Sequence, residues 1–246
     1  MDNYAIYLCY TRACQYLLSR EYILLQPSGE KMIIVGIVGY EYMSETLETI
    51  REMLAAEDIR VGIFDFLKED YDVENEKSDI LLVPAYAQME NRIKSKREYF
   101  DVLMITDRLK DISGIYTLKL LKNISMALEA MKKDGVLIIN GDEEALVKKM
   151  VKDRKSMHLT DYQKILFGFS KMCSVTTTSV GEEYLTGNLI FSVEKEFTDI
   201  NGDIVEIGEY KYNTKEDKKI KSANVYGVLA SAALLLYLRQ KNLQNS

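Results

Sequence analysis

The sequence is poor in several residue types on which much protein chemistry depends. Its 246 residues include 3 cysteines, 2 prolines and 1 histidine. Cys9, Cys14 and Cys173 are odd in number and lack the paired spacing of metal ligands. Neither a disulfide framework nor a zinc site is therefore expected, and the three read as reduced, partly buried thiols. His158 stands among polar residues in KSMHLTDY with no Ser/His/Asp or Cys/His constellation near it in the sequence, which makes it a poor general base. Long apolar runs are missing too: Val225 to Leu238 has 14 residues, short of the roughly 20 that a spanning helix needs.

Positive charge is in deficit, with 32 Lys and Arg against 38 Asp and Glu and a formal net charge of −6. A general nucleic-acid binder would need a basic stripe to displace counterions. The basic runs Lys94 to Arg97 and Lys148 to Lys155 are interrupted or flanked by acids and read as solvated helix faces. Asp2 stands where a signal peptide would be basic, and Arg12 breaks the apolar run there. The expectation is a cytoplasmic protein without membrane or nucleic-acid partners.

A hydrophobic fraction of 47% over this length can bury a sizeable core. Residues 3 to 25 suggest a helix and a short strand, Tyr22 to Leu25, closed by the turn Pro27-Ser28-Gly29. From Met32 to Val38 the run is continuous and β-branched, as in a strand buried on both faces of a parallel sheet. Met43, Leu47, Ile50 and Leu54 then fall on one helical stripe. Further buried strands are expected at Val61 to Phe64, Ile80 to Val83, Val102 to Thr106 and Val136 to Asn140. The acidic stretch Leu67 to Asp79 reads as an exposed loop, and helical patterns occupy Gln88 to Lys96 and Thr117 to Lys132. This alternation implies right-handed crossovers and an α/β fold with a mostly parallel sheet covered by helices.

After Asp142 the pattern changes. A helix is expected from Glu143 to about Val151, followed by short strands in KILFGFS, CSVTTTSV, NLIFSVEKEF and DIVEIGEY. Asn201-Gly202 offers a tight hairpin turn, so the last two form a small antiparallel element at the sheet's edge. TKEDKKIK, Thr214 to Lys221, reads as a charged loop. Ser222 offers an N-cap to a last helix that is apolar nearly all the way round.

The stretch IIVGIVGYEYMSETLETI, Ile33 to Ile50, has the outline of a phosphate-binding loop: a strand, glycines Gly36 and Gly39, and a polar opening into a helix at Ser44. Such a loop carries a second glycine and a lysine before its Ser/Thr, and here those places hold Tyr42 and Met43. A dinucleotide reading of GIVGYE, with Asp65 as a ribose-binding acid, lacks the third glycine of that fingerprint.

The order of these segments resembles the central ATPase domain of the Mur ligases, including UDP-N-acetylmuramyl tripeptide synthases and the folate and poly-glutamate ligases. Asp79 to Asp111 is similar to the family's strand, Ser-Ser-His segment, arginine-containing helix, FDV strand and Asn-x-x-x-Asp-His turn. DGVLIINGDEEAL resembles its Gly-x-x-x-x-Asn-Ala-Asp-Asp segment, ILFGFS its Thr-Phe-Gly strand, and SANVYGVLASAALLL its His-Asn-x-x-Asn-x-Leu-Ala-Ala helix. The resemblance implies a P-loop-type α/β domain over residues 31–246, preceded by an extension over residues 1–30. It implies vestigial nucleotide positions at Gly36, Gly39, Ser44, Asn140, Asp142 and Asn224.

In that family ATP phosphorylates a carboxylate, and an amine attacks the acyl phosphate. The phosphoryl group needs charge neutralisation from a lysine and magnesium. Here Met43 stands at the lysine, Glu41 and Glu45 are added beside Ser44, Val83 stands at the magnesium-binding Glu, Tyr86 and Ala87 at the Ser and His, and Ile112 at the His after Asp111. A unit charge about 4 Å from a phosphate oxygen is worth roughly 4 kcal/mol at an effective dielectric of 20, so reversing its sign removes most nucleotide affinity. Lys119 and Lys122 are the nearest matches to the family's carbamylated lysine but read as exposed helix charges. Asn224 is kept, whereas the second Asn of its motif is Gly227.

The expectation is thus a stand-alone, catalytically degenerate Mur-ligase-like domain with no catalytic residue and no metal site. It would act as a binding or scaffold protein in cell-wall or poly-glutamate metabolism, self-associating or bound to a protein partner. No cofactor is expected. The alternative is an ATP- and magnesium-dependent carboxylate–amine ligase subunit completed by a partner.

Overall fold

The computed structural model describes residues 32–39, 43–64, 78–85, 99–106, 114–143, 162–177, 188–213, 225–238 and 244–245; for 114–117, 188, 213 and 244–245 only the backbone is described. The expected elements in residues 3–25, 88–96 and 144–151, the loop at 214–221 and the cap at Ser222 lie outside these residues, as do Cys9, Cys14 and His158.

The apolar runs form strands β1 (Ile33–Val38), β2 (Val61–Ile63), β3 (Ile80–Pro84), β4 (Phe100–Ile105), β5 (Met131–Asn140) and β6 (Gln163–Phe167). With β7 (Val175–Thr177) they lie parallel, in the order β7-β6-β5-β4-β1-β3-β2. The sheet continues past β7 with antiparallel β8 (Asn188–Val193), β11 (Gly208–Asn213) and β12 (Gln244–Asn245). A separate hairpin pairs β9 (Phe197–Thr198) with β10 (Ile204–Val205). The fold is α/β, with a mostly parallel sheet and an antiparallel part in its second half.

Alternation along β1 sorts its side chains between two cores, as the period of a strand requires. Val35 and Ile37 join one cluster with helices α1 (Met43–Ala56) and α3 (Val225–Leu238), whereas Ile34 and Val38 join another with Leu120, Ile124 and Leu128 of α2 (Gly114–Glu129). The stripe Met43, Leu47, Ile50 and Leu54 is buried as its spacing predicts. Helix α1 ends at Ala56, and in the turn after it Asp58, at φ 61°, lets the Ile59 N–H return to the Leu54 carbonyl at 3.1 Å. Helix α3 is buried at every residue from Gly227 to Leu238, packed on α1 and on β5 to β7. No helix of the described residues is long and apolar enough to cross a membrane.

Two boundaries differ from expectation. Helix α2 ends at Glu129, and β5 begins at Met131 rather than Val136. Phe100 pairs with Met131, and the N–H groups of Tyr99 and Phe100 both reach the Ala130 carbonyl, at 2.6 and 3.0 Å. Tertiary pairing there overrides the helix propensity of Met131-Lys132-Lys133. The Asn201-Gly202 turn is present, with Gly202 at φ 87°. It is wrapped by Asp199, which accepts from the N–H groups of Asn201 and Asp203 at 2.8 and 2.9 Å.

Candidate functional site

Parallel order brings the carboxyl ends of β1, β4, β5 and β6 side by side, where open α/β sheets place ligands. A polar row crosses that edge. The Thr106 N–H donates to the Val38 carbonyl at 3.2 Å, and the Asn140 amide reaches the Thr106 carbonyl at 3.5 Å. Asn140 is fully buried, and its side-chain oxygen accepts the Asp142 N–H at 3.1 Å, turning the chain at the end of β5.

Asp142 is the hub of the row. Its carboxylate accepts the Phe169 N–H (2.9 Å at Oδ1, 3.0 Å at Oδ2), the Ser170 N–H (2.6 Å at Oδ1) and the Tyr226 hydroxyl (2.9 Å at Oδ2). The Ser170 hydroxyl donates to the Gly141 carbonyl at 3.2 Å and lies 3.3 Å from Cys173 Sγ. Two glycines make this closeness possible: a Cβ on Gly168, at φ 140°, would lie 2.8 Å from the Asp142 carboxyl, and one on Gly141 would lie 2.7 Å from Cys173 Sγ. Burial, more than any neighbour, pushes the Cys173 thiol above its ordinary pKa and leaves it an inert core thiol. The Phe169 and Tyr226 rings meet edge to face, with centroids 5.8 Å apart.

At the other end of the edge the residues do different work. Gly36 lies inside β1, where a Cβ would come within 2.9 Å of Phe100 and 3.0 Å of Leu103, so its smallness serves packing. Gly39 is buried directly after β1, and Ser44 is exposed on the first turn of α1 beside Glu45. Met43 is 4% exposed and belongs to the core between the sheet and α3. Val83 is equally buried, on the α2 side. Lys119 and Lys122 are exposed on α2.

Of the residues singled out by sequence, Asn140 and Asp142 are brought together and linked through Thr106 to the strand that precedes Gly39. Asn224, Tyr40 to Tyr42, Asp65, Tyr86, Ala87, Asp111 and Ile112 lie outside the described residues. Sequence pattern does not single out Thr106, Phe169, Ser170 or Tyr226 as members of this row. The glycine in LFGFS was a signal for a close approach at that turn; nothing in spacing pointed to Tyr226. Glu143, next to the hub, is 2% exposed, and its Oε1 has no hydrogen-bond partner among the described residues. Among the described residues no three His, Cys, Asp or Glu side chains cluster in a way that could hold a metal ion.

No family model and no curated protein match the sequence. Solved structures match the fold. MurF ligase from Thermotoga maritima, in complex with ADP, superposes with a TM-score of 0.52 at 14% identity, over 97% of this chain and 50% of its own. The apo form of folylpolyglutamate synthetase from Lactobacillus casei gives a TM-score of 0.51 at 10% identity, over 97% of this chain and 64% of its own. The chain thus has a Mur-ligase-like fold and spans between half and two thirds of the length of these two enzymes.

Proposed function

We propose that this is a Mur-ligase-like domain that has given up phosphoryl transfer and works as a binding or scaffold protein allied to cell-wall or poly-glutamate synthesis. The observation that carries the reading is Met43. The resemblance aligns it with the phosphate-loop lysine, and its side chain is turned into the apolar core at 4% exposure. A buried thioether cannot balance triphosphate charge, and aliphatic Val83, aligned with a magnesium-binding Glu, cannot coordinate a hard cation. Met43 and Val83 thus supply neither the cation nor the metal ligand that ATP with magnesium needs at those positions. Titration calorimetry with ATP and magnesium tests the reading: no saturable heat is expected, and micromolar binding overturns it. A scaffold role implies self-association or a protein partner, so light scattering of the purified chain should give a mass above 28.3 kDa unless a partner takes that place.

One observation favours a second reading, an ATP-dependent carboxylate–amine ligase subunit completed by a partner. Both matched structures are enzymes of the ligase or synthetase type, and MurF was solved with ADP. This reading requires that the chain purify with another protein and that ATP be hydrolysed only by the mixture. A co-purified complex without ATP turnover would sink it.

A further inference from the structure

Asp142 sits half-buried at the carboxyl edge of the sheet, where a ligand would approach, but its hydrogen bonds come from its own chain. A carboxylate offers about four acceptor positions. Two backbone N–H groups of the 169–170 turn make three of the contacts, fixed by the close approach at Gly168. The Tyr226 hydroxyl, on the first turn of α3, adds a bond to Oδ2 at 2.9 Å, while the buried Cys173 thiol lies 3.9 Å from Oδ1. The tyrosine ring meets the half-exposed Phe169 edge to face.

We infer that Tyr226 is an internal plug: its hydroxyl occupies the Asp142 oxygen that a ligand's hydroxyl would take, and so keeps hydroxylated ligands such as a nucleoside's ribose out of this end of the edge. Carboxylates recognise ribose by accepting its hydroxyl protons, which is the bond Tyr226 makes. The choice of a nucleoside as ligand class rests on the reading given under Proposed function. The occupancy of Asp142 stands on its own bonds.

The test is adenosine binding to the full chain by calorimetry or ligand-observed NMR, for the wild type, Tyr226→Phe and Tyr226→Ala. The phenylalanine variant keeps the ring and frees one carboxylate position; the alanine variant also clears the space. Urea midpoints and near-ultraviolet dichroism establish that each variant is folded. The wild type should show no saturable binding at about millimolar adenosine, and the variants should gain about tenfold or more in affinity. The gain should be absent with 2′,3′-dideoxyadenosine and lost when Asp142→Asn is added. Wild-type binding as tight as that of the variants, no gain in either folded variant, or an equal gain with the dideoxy compound each overturns the plug. Because adenosine carries no phosphate, its outcome is separate from that of the ATP titration. Wild-type binding of magnesium–ATP without adenosine binding would defeat the proposed function and leave the plug standing.

Discussion

The Tyr212 hydroxyl donates to the main-chain carbonyl of Met53 at 3.0 Å, joining residues 159 positions apart. Tyr212 belongs to β11 in the antiparallel part of the sheet, and Met53 to α1 beside the parallel part. Tyr212 is fully buried, so the bond lies in the core, where it ties the two halves together.

Removing that hydroxyl in Tyr212→Phe should lower the unfolding free energy by about 1 to 2 kcal/mol, read from urea midpoints. Burial, with a smaller contribution from Glu57, raises the phenol well above its ordinary pKa of 10.0. Because the folded value is the higher one, the contribution is complete below pH 10.0 and is lost as pH rises from there through the folded value. The phenylalanine variant should lose part of this alkaline sensitivity. Tyr237, pushed up to about 12 by burial and then by Asp101, Asp134 and Asp199, should keep the remainder.

Restoring a lysine at position 43 should not restore a phosphate site. Met43→Lys places an ammonium among Leu47, Ile50 and α3, and should cost roughly 2 to 4 kcal/mol in urea unfolding. Magnesium–ATP binding should stay absent. A variant that is folded, as stable as wild type and able to bind ATP would show that the side chain at 43 reaches the loop.

Two glycine substitutions should rank by mechanism. At Gly36 a methyl meets side chains that can shift slightly, so Gly36→Ala should cost about 1 to 3 kcal/mol. At Gly168 it meets the Asp142 carboxyl at 2.8 Å and also requires φ 140°, so Gly168→Ala should cost more. Thermal melts of the two variants check the order, and a milder effect at Gly168 would contradict the tightness of the hub.

Arg60 and Asp79 form an exposed pair in which Asp79 Oδ2 accepts both Arg60 N and Nε at 3.0 Å. Hydrogen bonding from the Arg60 side chain holds the Asp79 carboxyl below its ordinary 3.8. Its contribution is present above pH 3.8 and is lost as pH falls through the lowered folded value. With side-chain exposures of 56% and 37%, solvent screening limits it to less than about 1 kcal/mol. In Asp79→Asn, urea midpoints should fall slightly at neutral pH and converge on wild type near pH 2.

Much of this architecture is legible in single segments. The unbroken apolar run of β1 announces burial on both faces, and the spacing of Met43, Leu47, Ile50 and Leu54 announces which face of α1 meets the sheet. Alternation and Asn201-Gly202 mark the hairpin. What spacing cannot carry is pairing at a distance. The start of β5 depends on Phe100 finding Met131, although Met131-Lys132-Lys133 alone favours a helix. The hub depends on Tyr226 reaching Asp142 across 84 positions. Asn140 and Asp142 could be singled out because they end a strand in a resembling motif, but whether they face a ligand or their own chain is a question of contacts.

The all-round burial of α3 carries a cost during synthesis. This helix covers one face of β5 to β7 and follows those strands by some fifty residues or more in the chain. As the polypeptide leaves the ribosome, that sheet face stays bare until positions 225–238 arrive. Its aliphatic surface is then open to chaperones and to aggregation, so yield in a cell should respond to chaperone supply more strongly than the equilibrium stability of the finished fold would suggest.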